Sequence, residues 1–260
     1  MKTLLIIAGS DSGGGAGIQA DIKTASAHNV FATTAITALT AQNTLGVSGV
    51  VDTPPDFVRQ QIRDVLEDIG ASAVKIGMLS SAAIIEAVHS ALFPVPQHLV
   101  LDTVMLAKGG HALLKPDAIE ALKTLLVPIA SIVTPNIPEA EALAGISIKT
   151  PHDMITAGNK ILALGAKAVL VKGGHMAGAE VTDMLITQNS QMPIIHKRID
   201  TRNTHGTGCT LASAIASNLA NGLELAPAVR KATDYVHNAI LTAPRIGSGH
   251  GPLNHLTSAG

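Results

Sequence analysis

The sequence is poor in cysteine and in aromatic residues. Its 260 residues include a single cysteine, Cys209, no tryptophan, one tyrosine and three phenylalanines. One cysteine forms no internal disulfide, which excludes a disulfide-stabilised scaffold and makes a reducing compartment, the cytoplasm, the expected location. A chain of this length builds a sizeable core without such cross-links.

Strong net charge and long apolar runs are also missing. The formal net charge is −1, and no long run of lysine or arginine occurs, so we expect neither nucleic acid nor an anionic membrane as a partner. No apolar stretch approaches the roughly 20 residues of a membrane-spanning helix. The first ten residues carry one lysine and only a short apolar run, which is unlike a signal peptide.

Small and aliphatic residues dominate instead. Hydrophobic residues make up 47% of the chain, and 24 residues are glycine. A core of Ala, Leu, Ile and Val is typical of layered α/β proteins, in which helices cover both faces of a buried sheet. Because no internal repeat or linker interrupts the pattern, we predict one domain spanning residues 1–260.

Hydrophobic periodicity predicts the order of the elements. Short apolar runs predict strands at residues 3–8, 32–39, 73–76, 99–102, 132–134, 168–172, 181–186 and 194–199. Apolar residues at three- and four-residue spacing predict helices at residues 17–28, 55–68, 82–91, 117–126, 137–144, 151–164, 209–221 and 226–242. The alternation predicts a mostly parallel sheet, the last two strands an antiparallel hairpin, and the residues after 244 an irregular tail.

A glycine-rich turn at residues 203–210 precedes one of these helices. Its glycines, Gly206 and Gly208, allow the backbone to approach a ligand, and the amides at a helix N-terminus, with Thr207 beside them, favour an anion such as phosphate. An ordinary turn between a strand and a helix explains the glycines equally well.

Cys209 follows these glycines directly. At a helix N-terminus we expect its thiolate to be favoured, so that it serves as base or hydrogen-bond partner of a substrate hydroxyl, or as a nucleophile with His205 as its base. A lone cysteine is more commonly a small buried hydrophobe.

A second glycine-rich run, at residues 9–17, follows the first predicted strand. Its glycine spacing matches neither a dinucleotide-binding turn nor a P-loop. We interpret it as a flexible flap over a substrate, with Asp21 on the next helix facing back toward the strand ends. A solvated helix carboxylate is the alternative for Asp21.

Charged residues close two other predicted strands. Asp102 ends one and Lys172 ends another, while Asn136 and Glu139 begin a helix with the spacing of a capping box. Capping explains the pair better than Mg²⁺ binding, and surface charges explain the strand ends. Together with the turn at 203–210, however, these residues supply the cation, carboxylates and anion site that phosphoryl transfer requires.

Six motifs in this order and spacing resemble the hydroxymethylpyrimidine/phosphomethylpyrimidine kinases over nearly the whole chain. They are IAGSDSGGGAGIQAD at 7–21, TAQNT at 40–44, KIGML at 75–79, TPNIPEAE at 134–141, VKGGH at 171–175 and NTHGTGCT at 203–210. The resemblance implies a ribokinase-like fold with a three-layer α/β/α arrangement. It also implies phosphorylation of 4-amino-5-hydroxymethyl-2-methylpyrimidine and of its monophosphate, with ATP and Mg²⁺, in thiamin biosynthesis, by a homodimer.

The same resemblance implies roles for individual residues. Those assigned to the pyrimidine are Gln42, which would hydrogen-bond the aminopyrimidine edge, Gly9, Met78 and Val104, which would frame the ring, and Asp21. Those assigned to ATP are Lys172, Asn136, Glu139 and Thr207, with Asp102 and Glu139 as the Mg²⁺ ligands. Those assigned to catalysis are Lys172, Gly206, Gly208 and Cys209, the last standing where related sugar kinases carry an aspartate.

One departure and three alternatives stay open at the level of the sequence. Thr103 stands where the family usually has proline, which weakens the expected rigidity of the loop after Asp102. The alternatives are a pyridoxal or pyridoxine kinase of the same superfamily, a nucleotide-binding regulator without activity, and a Cys–His acyl-transfer enzyme built on His205 and Cys209.

Overall fold

The buried aliphatic runs form the strands of one sheet. The computed structural model describes residues 1–106 and 113–259. Its strands are β1 (Thr3–Asp11), β2 (Phe31–Asn43), β3 (Gly46–Asp52), β4 (Ala73–Ile76), β5 (Leu99–Leu101), β6 (Ile132–Val133), β7 (Ala168–Val171), β8 (Glu180–Thr187) and β9 (Gln191–Lys197). They lie in the order β3-β2-β1-β4-β5-β6-β7-β8-β9.

Helices connect most of the strands. They are α1 (Gly17–Ala27), α2 (Pro55–Asp68), α3 (Ala82–Ala91), α4 (Pro116–Ala121), α5 (Ile137–Ala144), α6 (Pro151–Leu162), α7 (Thr207–Ala220) and α8 (Leu225–Leu241). A π-helical turn (Leu122–Leu126) and a 3-10 turn (Val127–Ile129) extend α4.

The sheet separates two hydrophobic cores. Along β1, Leu5 and Ile7 face the core under α2 to α6, whereas Leu4 and Ile6 face the core under α1, α7 and α8. All four side chains are fully buried, as expected for a strand covered on both faces. The three-layer α/β/α architecture predicted from the sequence is therefore confirmed.

The strand order places a crevice at one edge of the sheet. From β2 across to β7 the paired strands are parallel, whereas β3, β8 and β9 pair antiparallel. The chain runs outward from β1 to β2 on one side and from β4 to β7 on the other, so the direction changes between β1 and β4. Ligands of open α/β sheets bind beyond the carboxyl ends of the strands at such a point.

Most predicted elements are present, with one omission. The hairpin of β8 and β9, the helices and the irregular tail agree with the expectation, with ends shifted by a few residues. A capping box of Thr150 and Asp153 begins α6. The strand β3 was missed, and β2 was predicted too short, because none of residues 41–52 at this edge of the sheet is buried and positions 46 and 49 are glycine. No helix in the described part of the chain has the length and hydropathy to cross a bilayer.

Candidate active site

The helix α7 begins at the second glycine-rich turn. Gly206 caps it with φ 81°, and a Cβ at this position would overlap the carbonyl oxygen of Gly15, so only glycine fits. The amides of Gly208 and Cys209 lie in the first turn, where no preceding helical carbonyl accepts them. The Thr207 hydroxyl donates to a backbone carbonyl three residues earlier at 2.8 Å. The turn thus presents backbone donors suited to an anion.

A buried ion pair lies against this helix start. Lys172 Nζ donates to Asp102 Oδ1 at 3.0 Å, with the Asp102 side chain 2% exposed. A Cβ at Gly208 would lie 3.3 Å from Lys172 Nζ and 3.5 Å from Asp102 Oδ2, so glycine allows the pair to approach the helix closely. Burial opposes the charge on Lys172, but the carboxylates of Asp102 and Glu139 outweigh it and raise the pKa of Lys172. The lysine is therefore a permanent cation beside the first turn of α7.

The Asn136–Glu139 pair is a complete capping box. Glu139 N–H donates to Asn136 Oδ1 at 3.0 Å, and Glu139 Oε2 accepts the Asn136 N–H at 2.8 Å. Thr103 Oγ1 also donates to Glu139 Oε2, at 3.1 Å. The capping explanation is confirmed, and it holds the buried Glu139 carboxylate within electrostatic reach of Lys172. Burial is the main cause of the raised pKa of Glu139.

Two carboxylates suit a magnesium ion. Asp102 Oδ1 accepts hydrogen bonds from Lys172 Nζ and, at 3.3 Å, from Thr134 Oγ1. Asp102 Oδ2, in contrast, is buried with no hydrogen-bond partner among the described residues. A buried carboxylate oxygen without a donor is costly unless a ligand completes it. The described residues form no cluster of three or more His, Cys, Asp or Glu suited to a metal. Asp102 and Glu139 therefore fit Mg²⁺, which takes one or two carboxylates plus phosphate and water oxygens, and not a closed protein cage.

The glycine-rich run after β1 forms a fixed turn. Asp11 accepts the backbone N–H groups of Gly13, Gly15 and Ala16 at 2.7, 3.0 and 2.9 Å, and His205 Nε2 lies 2.9 Å from Asp11 Oδ2. Burial alone would raise the pKa of Asp11, but these hydrogen bonds outweigh it and hold the pKa below its usual value. In the segment that we interpreted as a flap, an ionised carboxylate thus binds three backbone amides of the turn.

Residues expected to contact a pyrimidine lie at the ends of β1, β2 and β4. A Cβ at Gly9 would approach Met78 Sδ to 2.9 Å, so glycine allows the methionine side chain to pack directly against β1. Gln42 is half-buried, with its terminal amide near Thr40 and His205. Val104 follows Asp102 beyond β5 and is half-buried.

Asp21 is not the solvated helix carboxylate that was the alternative in the sequence analysis. Its carboxylate is fully buried between α1, α7 and the sheet, where Lys75 Nζ donates to Oδ2 at 2.8 Å and Ser213 Oγ to Oδ1 at 2.7 Å. Burial disfavours the charge on Lys75, but the neighbouring carboxylates outweigh it and raise the pKa of Lys75. Both Asp21 oxygens are thus occupied by protein donors, which leaves a supporting role as the better explanation.

Cys209 is not the thiolate that the helix N-terminus led us to expect. Burial raises the pKa of its thiol to about 12, although Lys75 and a backbone hydrogen bond from Gly17 act in the opposite direction. His205 directs Nε2 at Asp11 and Gln42, and no hydrogen bond joins it to Cys209 among the described residues. The Cys–His dyad of an acyl-transfer enzyme is therefore not formed.

Sequence reasoning gave no structural role to Asp11 or Lys75. Asp11 stands at the start of a glycine run, the position from which a short carboxylate binds the amides that follow, so this signal was available. Lys75 had none, because its partner Asp21 is distant in the sequence and only the packing of α1 against β4 joins them.

Comparison with known proteins gives a consistent result. The family model described as phosphomethylpyrimidine kinase matches residues 11–254. A hydroxymethylpyrimidine/phosphomethylpyrimidine kinase of Rhizobium meliloti is 48% identical over 254 residues, 96% of each chain. The thiamine biosynthesis bifunctional protein ThiED of Geobacter sulfurreducens is 46% identical over 99% of this chain, which spans 53% of that protein.

Solved structures share the fold. A phosphomethylpyrimidine kinase from Clostridium difficile superposes with a TM-score of 0.83 and 48% identity, covering 92% of this chain and all of that one. An ADP complex of a pyridoxal kinase from Bacillus subtilis gives a TM-score of 0.92 with 37% identity, covering 98% of this chain and 97% of that one. Backbone likeness therefore does not separate the two groups, whereas identity is higher to the pyrimidine kinase.

Proposed function

The chain belongs to the phosphomethylpyrimidine kinase family, and from this premise we propose that it phosphorylates 4-amino-5-hydroxymethyl-2-methylpyrimidine and then its monophosphate with ATP. The observation that carries the proposal is the Lys172–Asp102 pair set against the first turn of α7. It places a cation, buried carboxylates and backbone donors at one sheet edge. Phosphoryl transfer depends mainly on such positioning and charge stabilisation.

Lys172 and the backbone amides at the start of α7 together stabilise the negative charge of the transferring phosphate. The γ-phosphate lies between Lys172 Nζ and the amides of Gly208 and Cys209, with Gly206 providing the turn and Thr207 its hydroxyl. The ammonium stays charged because carboxylates surround it. Losing one such donor commonly slows an enzyme about 100- to 1000-fold.

Cys209 acts as a hydrogen-bond partner of the substrate hydroxyl. With a pKa of about 12, its thiol is almost fully protonated near neutral pH. A loose phosphoryl-transfer transition state needs little help from a base, so a neutral thiol that orients the hydroxyl is sufficient.

Asp102 and Glu139 would hold Mg²⁺, and Asn136 keeps Glu139 in place through the capping box. The ion would supply positive charge to neutralise the phosphates. We expect excess chelator to abolish product formation and added Mg²⁺ to restore it. Turnover in excess chelator would contradict the magnesium proposal.

Gly9, Met78, Val104 and Gln42 form the pyrimidine side of the site. Met78, packed against Gly9, and Val104 offer apolar side chains that suit the faces of a flat ring, and the Gln42 amide suits its polar edge. Asp21 supports this region from below through Lys75.

The decisive assay is product formation with purified protein, ATP and Mg²⁺. Mass spectrometry of the reaction should show the monophosphate first and the diphosphate after it. No phosphorylated pyrimidine from folded protein would refute the function.

Pyridoxal phosphorylation is the second candidate, supported by the TM-score of 0.92 to a pyridoxal kinase. Values of kcat/KM for the two substrates, measured side by side, decide between them. A higher value for pyridoxal would reverse the assignment.

We also propose a homodimer that works in the cytoplasm, where a lone thiol stays reduced. Strand β3 is an edge of the sheet, and the cross-strand pair Leu39 and Val51 is 53% and 68% exposed. Exposed apolar residues on an open edge are a typical association surface. Light scattering should give a dimer, Val51→Lys a monomer, and the equally exposed Leu241→Lys no change; a monomeric parent protein would contradict the proposal.

A further inference from the structure

The terminal amide of Gln42 is held at both ends by other side chains. Gln42 Nε2 is placed 3.2 Å from His205 Nε2, and Gln42 Oε1 is placed 3.1 Å from Thr40 Oγ1. The oxygen and the nitrogen of an amide have nearly the same shape, so its orientation follows from which neighbours donate and which accept.

Next to His205, the amide oxygen of Gln42 fits better than the amide nitrogen. Asp11 is an acceptor held in its ionised form by the backbone amides around it, so the 2.9 Å contact with His205 Nε2 requires a proton on that nitrogen. A ring N–H forms no hydrogen bond with an amide N–H. The Asp11 contact therefore favours the amide with its oxygen and nitrogen exchanged, so that Oε1 lies toward His205.

Next to Thr40, the amide nitrogen of Gln42 fits better than the amide oxygen. Thr40 has one hydroxyl proton, and its Oγ1 lies 2.9 Å from the backbone carbonyl oxygen of Ser10, which can only accept. One proton cannot serve both Ser10 and Gln42 Oε1, so this end also favours the exchanged amide, in which Gln42 Nε2 donates to Thr40 Oγ1. Two neighbours on different elements thus require the same orientation of one amide.

This orientation determines how an aminopyrimidine can bind, an argument that rests on the proposed function. The inner lone pair of Oε1 and the inner N–H of Nε2 remain for a ligand, and the ring edge offers an amino donor next to a nitrogen acceptor. The amino group then lies on the His205 side and the ring nitrogen on the Thr40 side. The hydroxymethyl group, attached to the next carbon beyond the amino group, points toward Gly206 and the start of α7.

We propose that His205 and Thr40 are positioning residues that fix the Gln42 amide, so that the site accepts rings with a donor next to the hydroxymethyl carbon and rejects rings with an acceptor there. The 4-oxo analogue of the substrate presents a carbonyl and a ring N–H in the reversed order. It would meet Oε1 with an oxygen and Nε2 with a proton donor.

The fold tolerates the changes that test this proposal. Asp11 keeps three backbone donors when His205 is replaced. Thr33 is a matched control for Thr40, because both are on β2, both are 8% exposed, and both donate to a carbonyl of β1. His28, a buried histidine at the C-terminal end of α1, serves as control for His205.

The experiment compares kcat/KM for the 4-amino and 4-oxo pyrimidines at saturating ATP. We expect the unchanged enzyme to prefer the amino compound at least about 100-fold, because mispaired buried polar groups are strongly rejected. His205→Leu and Thr40→Val should each lower that ratio about tenfold, mainly through the KM for the amino compound, and the double variant about 100-fold. His205→Gln and Thr40→Ser, which restore a donor and a hydroxyl, should keep the ratio within about threefold of the original.

The controls His28→Gln and Thr33→Val should leave the ratio unchanged. A folded double variant with the original ratio would overturn the inference while leaving the proposed function intact. Failure of the unchanged enzyme to phosphorylate the amino compound would overturn both.

Discussion

Replacing Lys172 by methionine separates charge stabilisation from structural support. The substitution keeps the length of the side chain but removes the ammonium 3.0 Å from Asp102 Oδ1. If Lys172 carries the charge of the transferring phosphate, kcat should fall about 1000-fold or more, equivalent to about 4 kcal/mol of lost transition-state stabilisation. Initial rates of ADP formation at saturating ATP and pyrimidine measure this loss.

The same substitution should also lower stability. Asp102 is 2% exposed, and a buried carboxylate that loses its partner costs about 3–5 kcal/mol. For a chain of this size that corresponds to roughly 2–4 °C of Tm for each kcal/mol. Adding Asp102→Asn should recover much of the Tm, because the neutral amide needs no counter-charge.

Lys123→Met is the matched control. Lys123 pairs with the 71% exposed Glu120 at 3.2 Å, and an exposed pair contributes little to stability, so neither kcat nor Tm should change. A folded Lys172→Met enzyme with kcat within tenfold of the original would refute the reasoning.

Three further predictions concern the neighbouring residues. Cys209→Ser should keep kcat within about tenfold, since a hydroxyl still binds the substrate oxygen, and Cys209→Ala should lose more. The rate of alkylation of the original thiol should still rise above pH 9, because the pKa of the thiol is raised to about 12. An alkylation rate that levels off below pH 8 would contradict this. Gly206→Ala should lower kcat more than about 100-fold and stability by about 1–3 kcal/mol, since φ is 81° and Gly15 occupies the space; an active, stable variant would show that the turn is not needed. Asp21→Asn should destabilise the protein by about 3–5 kcal/mol by leaving Lys75 unpaired with little change in the pyrimidine KM at low temperature, whereas a large rise in KM in a stable variant would indicate direct substrate contact.

The layers of the fold could be predicted from the sequence because buried segments show a local pattern of apolar residues. Strands covered on both faces, such as β1, appear as continuous aliphatic runs, and the amphipathic helices repeat at their own period. The edge strand β3 shows no such apolar pattern, since most of its residues face solvent.

Local motifs likewise predicted the turn at Gly206 and the capping box at Glu139. A cap or a glycine turn involves residues only a few positions apart, so its chemistry is present in a short segment. The resemblance to the kinase family rests on such segments, and the comparisons confirm it.

The protonation states and partners of the site were decided only by the tertiary structure. Cys209 at a helix start suggested a thiolate, but burial among groups from three elements raises its pKa. The pairing of Asp21 on α1 with Lys75 on β4 has no signal in the sequence and is made only by the fold. The orientation of the Gln42 amide depends on His205, which lies 163 positions away. Desolvation and long-range pairing are properties of the packed chain, whereas periodicity and capping are properties of the segment, and this difference separates what the sequence determines from what the fold decides.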